Sequence, residues 1–231
     1  MRNRRGLFAG MQSGRLSGFV PYKGTKDLPN AGRISRFIRN FVDMKVALCQ
    51  FSMEWEAAAR NLRRAEELVA QAGADLALLP EMFATGFVTE PWRTALPDEE
   101  ELLAWMRRTA RRYATALAGS AVVRSGDRFA NRFFFVRPAG GAERYDKRHL
   151  FSIGGEDAHF VAGRRRVVVE YGGLRFLPLV CYDLRFPVWC RCRSDYDAIL
   201  CVASWPAPRR EVWRTLLRAR AIENQCYVVG V

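Results

Sequence analysis

The stretch from Lys45 to Pro80 limits the fold more than any other part of the chain. Lys45 to Gln50 (KVALCQ) reads as an apolar strand. Glu56 to Gln71 reads as a helix whose Ala58, Leu62, Ala65, Leu68 and Val69 share one face. Gly73 closes it, and Asp75 to Pro80 (DLALLP) is a second buried strand. Two strands joined through such a helix form a parallel crossover pair. A parallel pair of this kind belongs in an α/β domain.

The rest of the chain extends the pattern. A helix is expected from Glu99 to Leu117 and a strand from Gly119 to Val123. Arg132 to Arg137 and Gly141 to Tyr145 flank Pro138-Ala139-Gly140, a hairpin signal. Val167 to Tyr171 and Leu174 to Val180 flank Gly172-Gly173, a second one. A short helix at Trp189 to Arg193, a strand at Ala198 to Ala203, a helix at Val212 to Asn224 and a strand at Tyr227 to Val231 complete the series. With 231 residues the chain can bury one large core.

Residues 1–43 do not share this regularity. They are rich in Arg, Gly and Ser and hold nine Lys and Arg against Asp27 and Asp43, which is +7 of the net +13. An organelle-targeting peptide is one reading, because such peptides are Arg-rich and poor in acids. A start codon placed too early, with Met44 as the natural start, is the preferred one. The domain is therefore set at residues 44–231, after a disordered or mis-started leader. The remaining positive charge is scattered among acids, which argues for a solvated Arg-rich surface and against a nucleic-acid face. No run of eighteen apolar residues occurs, so no membrane span is expected.

Six cysteines stand at 49, 181, 190, 192, 201 and 226. Their low density in a chain without a secretory signal points to reduced thiols in the cytoplasm. Cys190 and Cys192 are too close for the usual zinc spacing, and no metal is expected.

Three reactive residues share one context, at or just beyond the carboxyl end of an apolar strand, where α/β sheets gather ligand sites. Cys181 follows RFLPLV and precedes a polar run. A strand-to-helix turn there would expose the sulfur, and a helix N-terminus would favour the thiolate. Taken alone, Cys181 also reads as a buried small hydrophobe, the usual fate of a free cysteine. Glu81 follows LALLP; it is a candidate base, or an N-cap or surface ion-pair acid. Lys147 lies in Tyr145-Asp146-Lys147-Arg148-His149-Leu150 and could stabilise an oxyanion, or simply face solvent.

Three separated motifs lift all of these together: Leu79-Pro80-Glu81-Met82-Phe83, Tyr145 to Phe151 (YDKRHLF), and Val180 to Pro187 (VCYDLRFP). In order and spacing they resemble the Glu-Lys-Cys triad of the nitrilase superfamily, and the resemblance runs from Lys45 to the last residue. Thr85-Gly86-Phe87, Trp205 to Arg209 (WPAPR) and Ala219 to Gln225 (ARAIENQ) are similar to the omega-amidase branch. The resemblance implies a nitrilase-like α-β-β-α sandwich that hydrolyses small carbon–nitrogen bonds through a cysteine thioester. It implies the side-chain amides of 2-oxo acids such as 2-oxoglutaramate as substrates, with no cofactor and a homodimeric assembly. Carbamoylase or nitrilase activity, and a silent scaffold, are the alternatives.

The same resemblance implies catalytic roles for Glu81, Lys147 and Cys181. The Tyr182 backbone N–H would serve the oxyanion and Glu156 would be a second carboxylate. Glu156 also reads as a surface acid of the Gly154-Gly155 loop. Phe83, Phe87, Arg185, Trp205 and Arg209 are candidates for the substrate pocket; Arg185 could instead pair with Asp183 or Glu223, and the aromatics could be core. Members of the superfamily usually continue past the position of Val231, so the sandwich is expected to be incomplete at its C-terminal end.

Overall fold

The computed structural model describes residues 12–13, 44–93 and 98–231. Except for Gln12–Ser13, the basic leader lies outside the described residues. Among the described residues, ten strands form two sheets. The first has the order β1 (Gln12–Ser13), β2 (Val46–Leu48), β3 (Leu76–Leu78), β4 (Ala116–Ser125), β5 (Arg128–Val136) and β6 (Ala142–Asp146). The second runs β10 (Tyr227–Gly230), β9 (Ala198–Val202), β8 (Leu174–Val180) and β7 (Val169–Tyr171). Strands β2, β3 and β4 are mutually parallel, as are β8, β9 and β10. The hairpins β4–β5, β5–β6 and β7–β8 are antiparallel.

The layers follow from alternation of side chains along these strands. Leu76, Leu78, Ala116, Ala118, Phe133 and Phe135 face inward and meet Phe176, Val180, Ala198, Leu200 and Val202 of the second sheet. Phe135 stacks on Phe176 at the seam, with ring centroids 6.3 Å apart. The intervening residues Ala77, Leu79, Leu117 and Phe134 face outward, against α1 (Ala58–Ala72) and α2 (Glu99–Tyr113). On the far side, Leu177, Leu179, Ile199 and Cys201 pack against Trp213, Leu216 and Leu217 of α5 (Arg210–Asn224). The result is a four-layer α-β-β-α sandwich. Both faces of its central strands are covered, which is why DLALLP and AILCV show no polar alternation.

Most expected elements are present with shifted ends. Gly73 does close α1, at φ 48°. Residues Gly172 and Gly173, at φ 58° and 77°, make the two-residue turn between β7 and β8. The helix expected to reach Leu117 stops at Tyr113. Ala114 turns left-handed at φ 50° and its N–H caps Ala110 and Arg111, which frees Ala116 and Leu117 for β4. Strands β4 and β5 are longer than their sequence suggests and join at Gly126, itself at φ 62°. The helix expected at Trp189 to Arg193 is a single turn, α4 (Pro187–Cys190). Pro187 starts it, and Arg191 leaves helical geometry at ψ 122°. Among the described residues, no helix is long and apolar enough to cross a membrane.

Candidate active site

Residues from both sheets meet at the carboxyl ends of the parallel strands. Glu81 stands three residues beyond β3, Lys147 directly after β6, and Cys181 directly after β8. Glu156 is the first residue of a single helical turn, α3 (Glu156–His159). The side chains of Glu81, Lys147 and Glu156 are fully buried. Lys147 Nζ donates to Glu81 Oε1 at 2.9 Å and to Glu156 Oε2 at 2.8 Å. Its third N–H has no protein acceptor among the described residues, so it can serve an incoming oxygen. Burial opposes the ammonium, but the charges of Glu81 and Glu156 outweigh it and hold Lys147 protonated far above an ordinary lysine.

Other specific donors hold the two carboxylates from further sides. Glu81 Oε2 accepts from the Ser204 backbone N–H at 2.9 Å, just beyond β9. Glu156 Oε2 also accepts from the Phe151 N–H at 2.7 Å. Asn131 of β5 donates through one Nδ2 to Glu81 Oε1 at 2.9 Å and to Glu156 Oε1 at 3.0 Å. Its own Oδ1 is buried without a hydrogen-bond partner. Such an orphan acceptor costs about 1–3 kcal/mol. Turning the amide over would place that oxygen against two carboxylates, which is worse.

Cys181 is the first residue of a single 3-10 turn, Cys181–Arg185, and takes φ +47°. Left-handed backbone is unusual for a residue with a Cβ. It turns the chain sharply off the end of β8, with the Tyr182 N–H next in line at the start of the turn. Cys181, half-buried as a residue, packs at the edge of the inter-sheet core. The thiolate expected from sequence is not the resting form. Burial and then the Glu81 charge push the thiol well above its ordinary value, and the opposing pull of Lys147 is smaller. One short turn is also too small a dipole to reverse this. Cys181 therefore rests as a thiol, with the Glu81 charge among the causes.

A third buried carboxylate, Asp183, ties together the two loops that carry Lys147 and Cys181. Asp183 Oδ2 accepts from Tyr145 Oη at 2.8 Å and from the Val180 N–H at 3.1 Å. Its Oδ1 accepts from the His149 N–H at 2.9 Å and contacts His149 Nδ1 at 2.8 Å. Burial, followed by the Asp183 charge, keeps the Tyr145 phenol protonated. His149 stacks flat on Phe186, with centroids 3.6 Å apart.

A cavity of about 270 Å³ is lined in part by Pro80, Phe87, Ser204 and Trp205; Glu81, Lys147, Cys181 and Arg185 are not among its lining residues, and it borders them through Pro80 and Ser204. The Phe87 ring lies 5.8 Å from Lys147 Nζ. Trp205 is half-buried and Arg185 is exposed; the guanidinium sits 5.4 Å from the Trp205 ring and 5.9 Å from the Tyr182 ring. Asp183 and Glu223 are engaged elsewhere, so the Arg185 ion pair weighed from sequence is not formed. Arg209 is exposed at the start of α5, where its carbonyl accepts from Trp205 Nε1 at 3.0 Å. Phe83 is elsewhere: it is fully buried in the outer core against Trp105, 5.9 Å away, and does not line this cavity. Glu156 is a buried partner of Lys147 rather than a surface loop acid.

Sequence reasoning missed Asn131, Ser204 and Asp183. Asn131 had a visible signal, a lone amide inside the apolar run Phe129 to Val136. Ser204 acts through its backbone, which no side chain announces. Among the described residues, no group of three or more His, Cys, Asp or Glu is arranged to hold a metal ion.

A buried acid and amine beside a cysteine at the strand ends of a four-layer sandwich mark out a candidate site for hydrolysis of carbon–nitrogen bonds. The carbon–nitrogen hydrolase family model matches residues 45–231, and the chain belongs to that family. It is 48% identical over 188 residues to the omega-amidase YafV of Yersinia enterocolitica, covering 81% of this chain and 73% of that one. It is 32% identical over 192 residues to the 2-oxoglutaramate amidase of Bacillus subtilis, covering 80% and 74%. Among solved structures it superposes on a CN-hydrolase superfamily protein of Xanthomonas campestris that carries an arsenic adduct in its active site. The TM-score there is 0.77 and the identity 41%, over 81% of this chain and 75% of that one.

Proposed function

We propose that the chain hydrolyses the terminal amide of a small 2-oxo acid of the 2-oxoglutaramate type, releasing the 2-oxo acid and ammonia. The observation that carries this reading is the buried Glu81–Lys147–Glu156 chain of hydrogen bonds beside the Cys181 thiol. Similarity to an omega-amidase and a 2-oxoglutaramate amidase supports the choice of substrate.

In this reading Glu81 takes the thiol proton as the sulfur attacks the amide carbon. The oxyanion of the tetrahedral intermediate is held by the third N–H of Lys147 and the backbone N–H of Tyr182. Glu81 then gives its proton to the leaving nitrogen, and ammonia departs from a thioester on Cys181. Next it draws a proton from a water that attacks the thioester, and the carboxylic acid leaves with the thiol restored. Glu156 holds Lys147 in place. Arg185, steadied by two aromatic rings at the cavity side, meets the substrate carboxylate, while Phe87 and Trp205 wall the cavity. Arg209 is assigned to the same mouth, more distantly.

Six free thiols, one of them the nucleophile, suit a reducing cytoplasmic setting. The partner is the small-molecule amide; a homodimer is carried as part of the proposal and is checked by sedimentation. The test of the reaction is ammonia release from 2-oxoglutaramate and 2-oxosuccinamate against carbamoyl amino acids and nitriles. Turnover confined to the latter two overturns the substrate assignment. Loss of all turnover in Cys181→Ala, with an acyl adduct at Cys181 in the wild type by mass spectrometry, is the expected result for the nucleophile.

A further inference from the structure

Asn131 hydrogen-bonds to all three members of the buried cluster, to two of them at the charged group and to Lys147 at the backbone. Its side chain donates to Glu81 Oε1 and Glu156 Oε1, and its backbone carbonyl accepts from the Lys147 N–H at 2.9 Å. Counting acceptor sites on Glu81 then separates its two oxygens. Oε1 receives Lys147 Nζ and Asn131 Nδ2, which fill both its lone pairs. Oε2 receives only the Ser204 N–H and keeps one lone pair open.

We propose that Asn131 is a positioning residue for the reaction: its amide saturates Glu81 Oε1 and bridges the two carboxylates, so that Glu81 Oε2 exchanges the proton with Cys181. This inference rests on the hydrolase reading of the site and adds which oxygen is the base and what keeps it so. The amide orientation is enforced, since reversal would set Oδ1 against both carboxylates, and the unpartnered Oδ1 accompanies that orientation. A neutral donor to a carboxylate favours its charged form. Without Asn131, Oε1 regains an open acceptor site and competes with Oε2 for the proton. The ionisable groups facing Glu81 are Lys147 beyond β6, Glu156 on α3, Cys181 beyond β8, and Cys201 on β9 behind it. The limb described next therefore belongs to the coupled cluster.

The test compares the full chain with Asn131→Ala and Asn131→Ser, using two readouts. The first is the pH dependence of Cys181 alkylation by iodoacetamide, followed by peptide mass; it needs no knowledge of the substrate. Wild type should show an acid limb that Glu81→Gln abolishes. In Asn131→Ala the limb should move up by about one pH unit. In Asn131→Ser, whose hydroxyl serves one carboxylate, it should move less in the same direction. The second is amide turnover, where kcat should fall about tenfold or more while KM stays within about twofold. A limb that superimposes on wild type in a cooperatively melting variant overturns the proposal, as does a loss confined to KM. Should Asn131→Ala fail to fold, Asn131→Ser decides by the same criteria. If no amide is turned over but the limb moves as stated, the hydrolase reading falls and the role of Asn131 stands.

Discussion

Replacing Lys147 by Met tests the electrostatics on which the site depends. Met keeps much of the side-chain volume and removes the charge. The ammonium lies 2.9 Å and 2.8 Å from two carboxylates, and all three side chains are fully buried. Removing one member of a buried ionic cluster costs about 3–5 kcal/mol, because the charges left behind have neither water nor a partner. For a domain of this size that is a fall in Tm of roughly 6–20 °C. The deficit depends on pH. A carboxyl buried without a counter-charge binds its proton more tightly in the folded than in the unfolded chain. Over the interval between those two affinities the native state carries more protons, so the variant loses stability as pH rises and recovers it as pH falls. Wild type has the opposite protection. Lys147 is held protonated above the ordinary lysine value of about 10.4, so its contribution is whole below that pH and is lost only on rising through the still higher folded value. Urea unfolding of both proteins at pH 8 and pH 5 measures the difference. The expected result is a large gap at pH 8 that narrows at pH 5. Equal stability at pH 8, or one gap at both pH values, would refute the reasoning.

Three further outcomes follow from the same contacts. Asp183→Asn must place an NH₂ against either the Val180 or the His149 backbone N–H, which should cost about 1.5–3 kcal/mol by urea melts and lower kcat, since the lysine and cysteine loops lose their common anchor. Arg185→Gln should raise KM for 2-oxo acid amides roughly 10- to 100-fold and leave a neutral amide such as propionamide unchanged; equal effects on both would remove Arg185 from carboxylate recognition. Gly163→Ala would drive a Cβ into the carbonyl of Asp146, beside the bond from the Gly163 N–H to the Lys147 carbonyl at 2.8 Å. The variant should lose about 1–3 kcal/mol in melts and more than tenfold in kcat, and an unaffected kcat would show that the Lys147 backbone tolerates displacement.

The legible parts of this molecule are those that repeat a local rule. The crossover from β2 to β3 could be read because both strands are apolar on two faces and α1 has one clean stripe ending at Gly73. The Gly172-Gly173 hairpin could be read because a two-residue turn at positive φ has few other spellings. The end of α2 could not, because Ala116 and Leu117 suit a helix as well as a strand; the left-handed Ala114 that decides it has an ordinary side chain. In the site, Glu81, Lys147 and Cys181 were found through motifs. Their protonation was not, because the burial that keeps Cys181 a thiol is a property of the packed sheets. Phe83 was placed in the pocket by adjacency to Glu81, yet Met82, at φ +49°, rotates it into the outer core.

The proposed base and the proposed nucleophile belong to different sheets. Glu81, Asn131 and Lys147 are borne by the first, Cys181 and the Ser204 amide by the second. Their spacing is therefore set by how deeply the side chains at the seam interdigitate, among them Ala118, Phe135, Phe176 and Leu200. A methyl group added or removed there acts like a shim in a caliper, moving the jaws by a fraction of an ångström with no contact to the amide. Drift at such buried positions is a route by which related chains can retune turnover while every reacting residue stays the same.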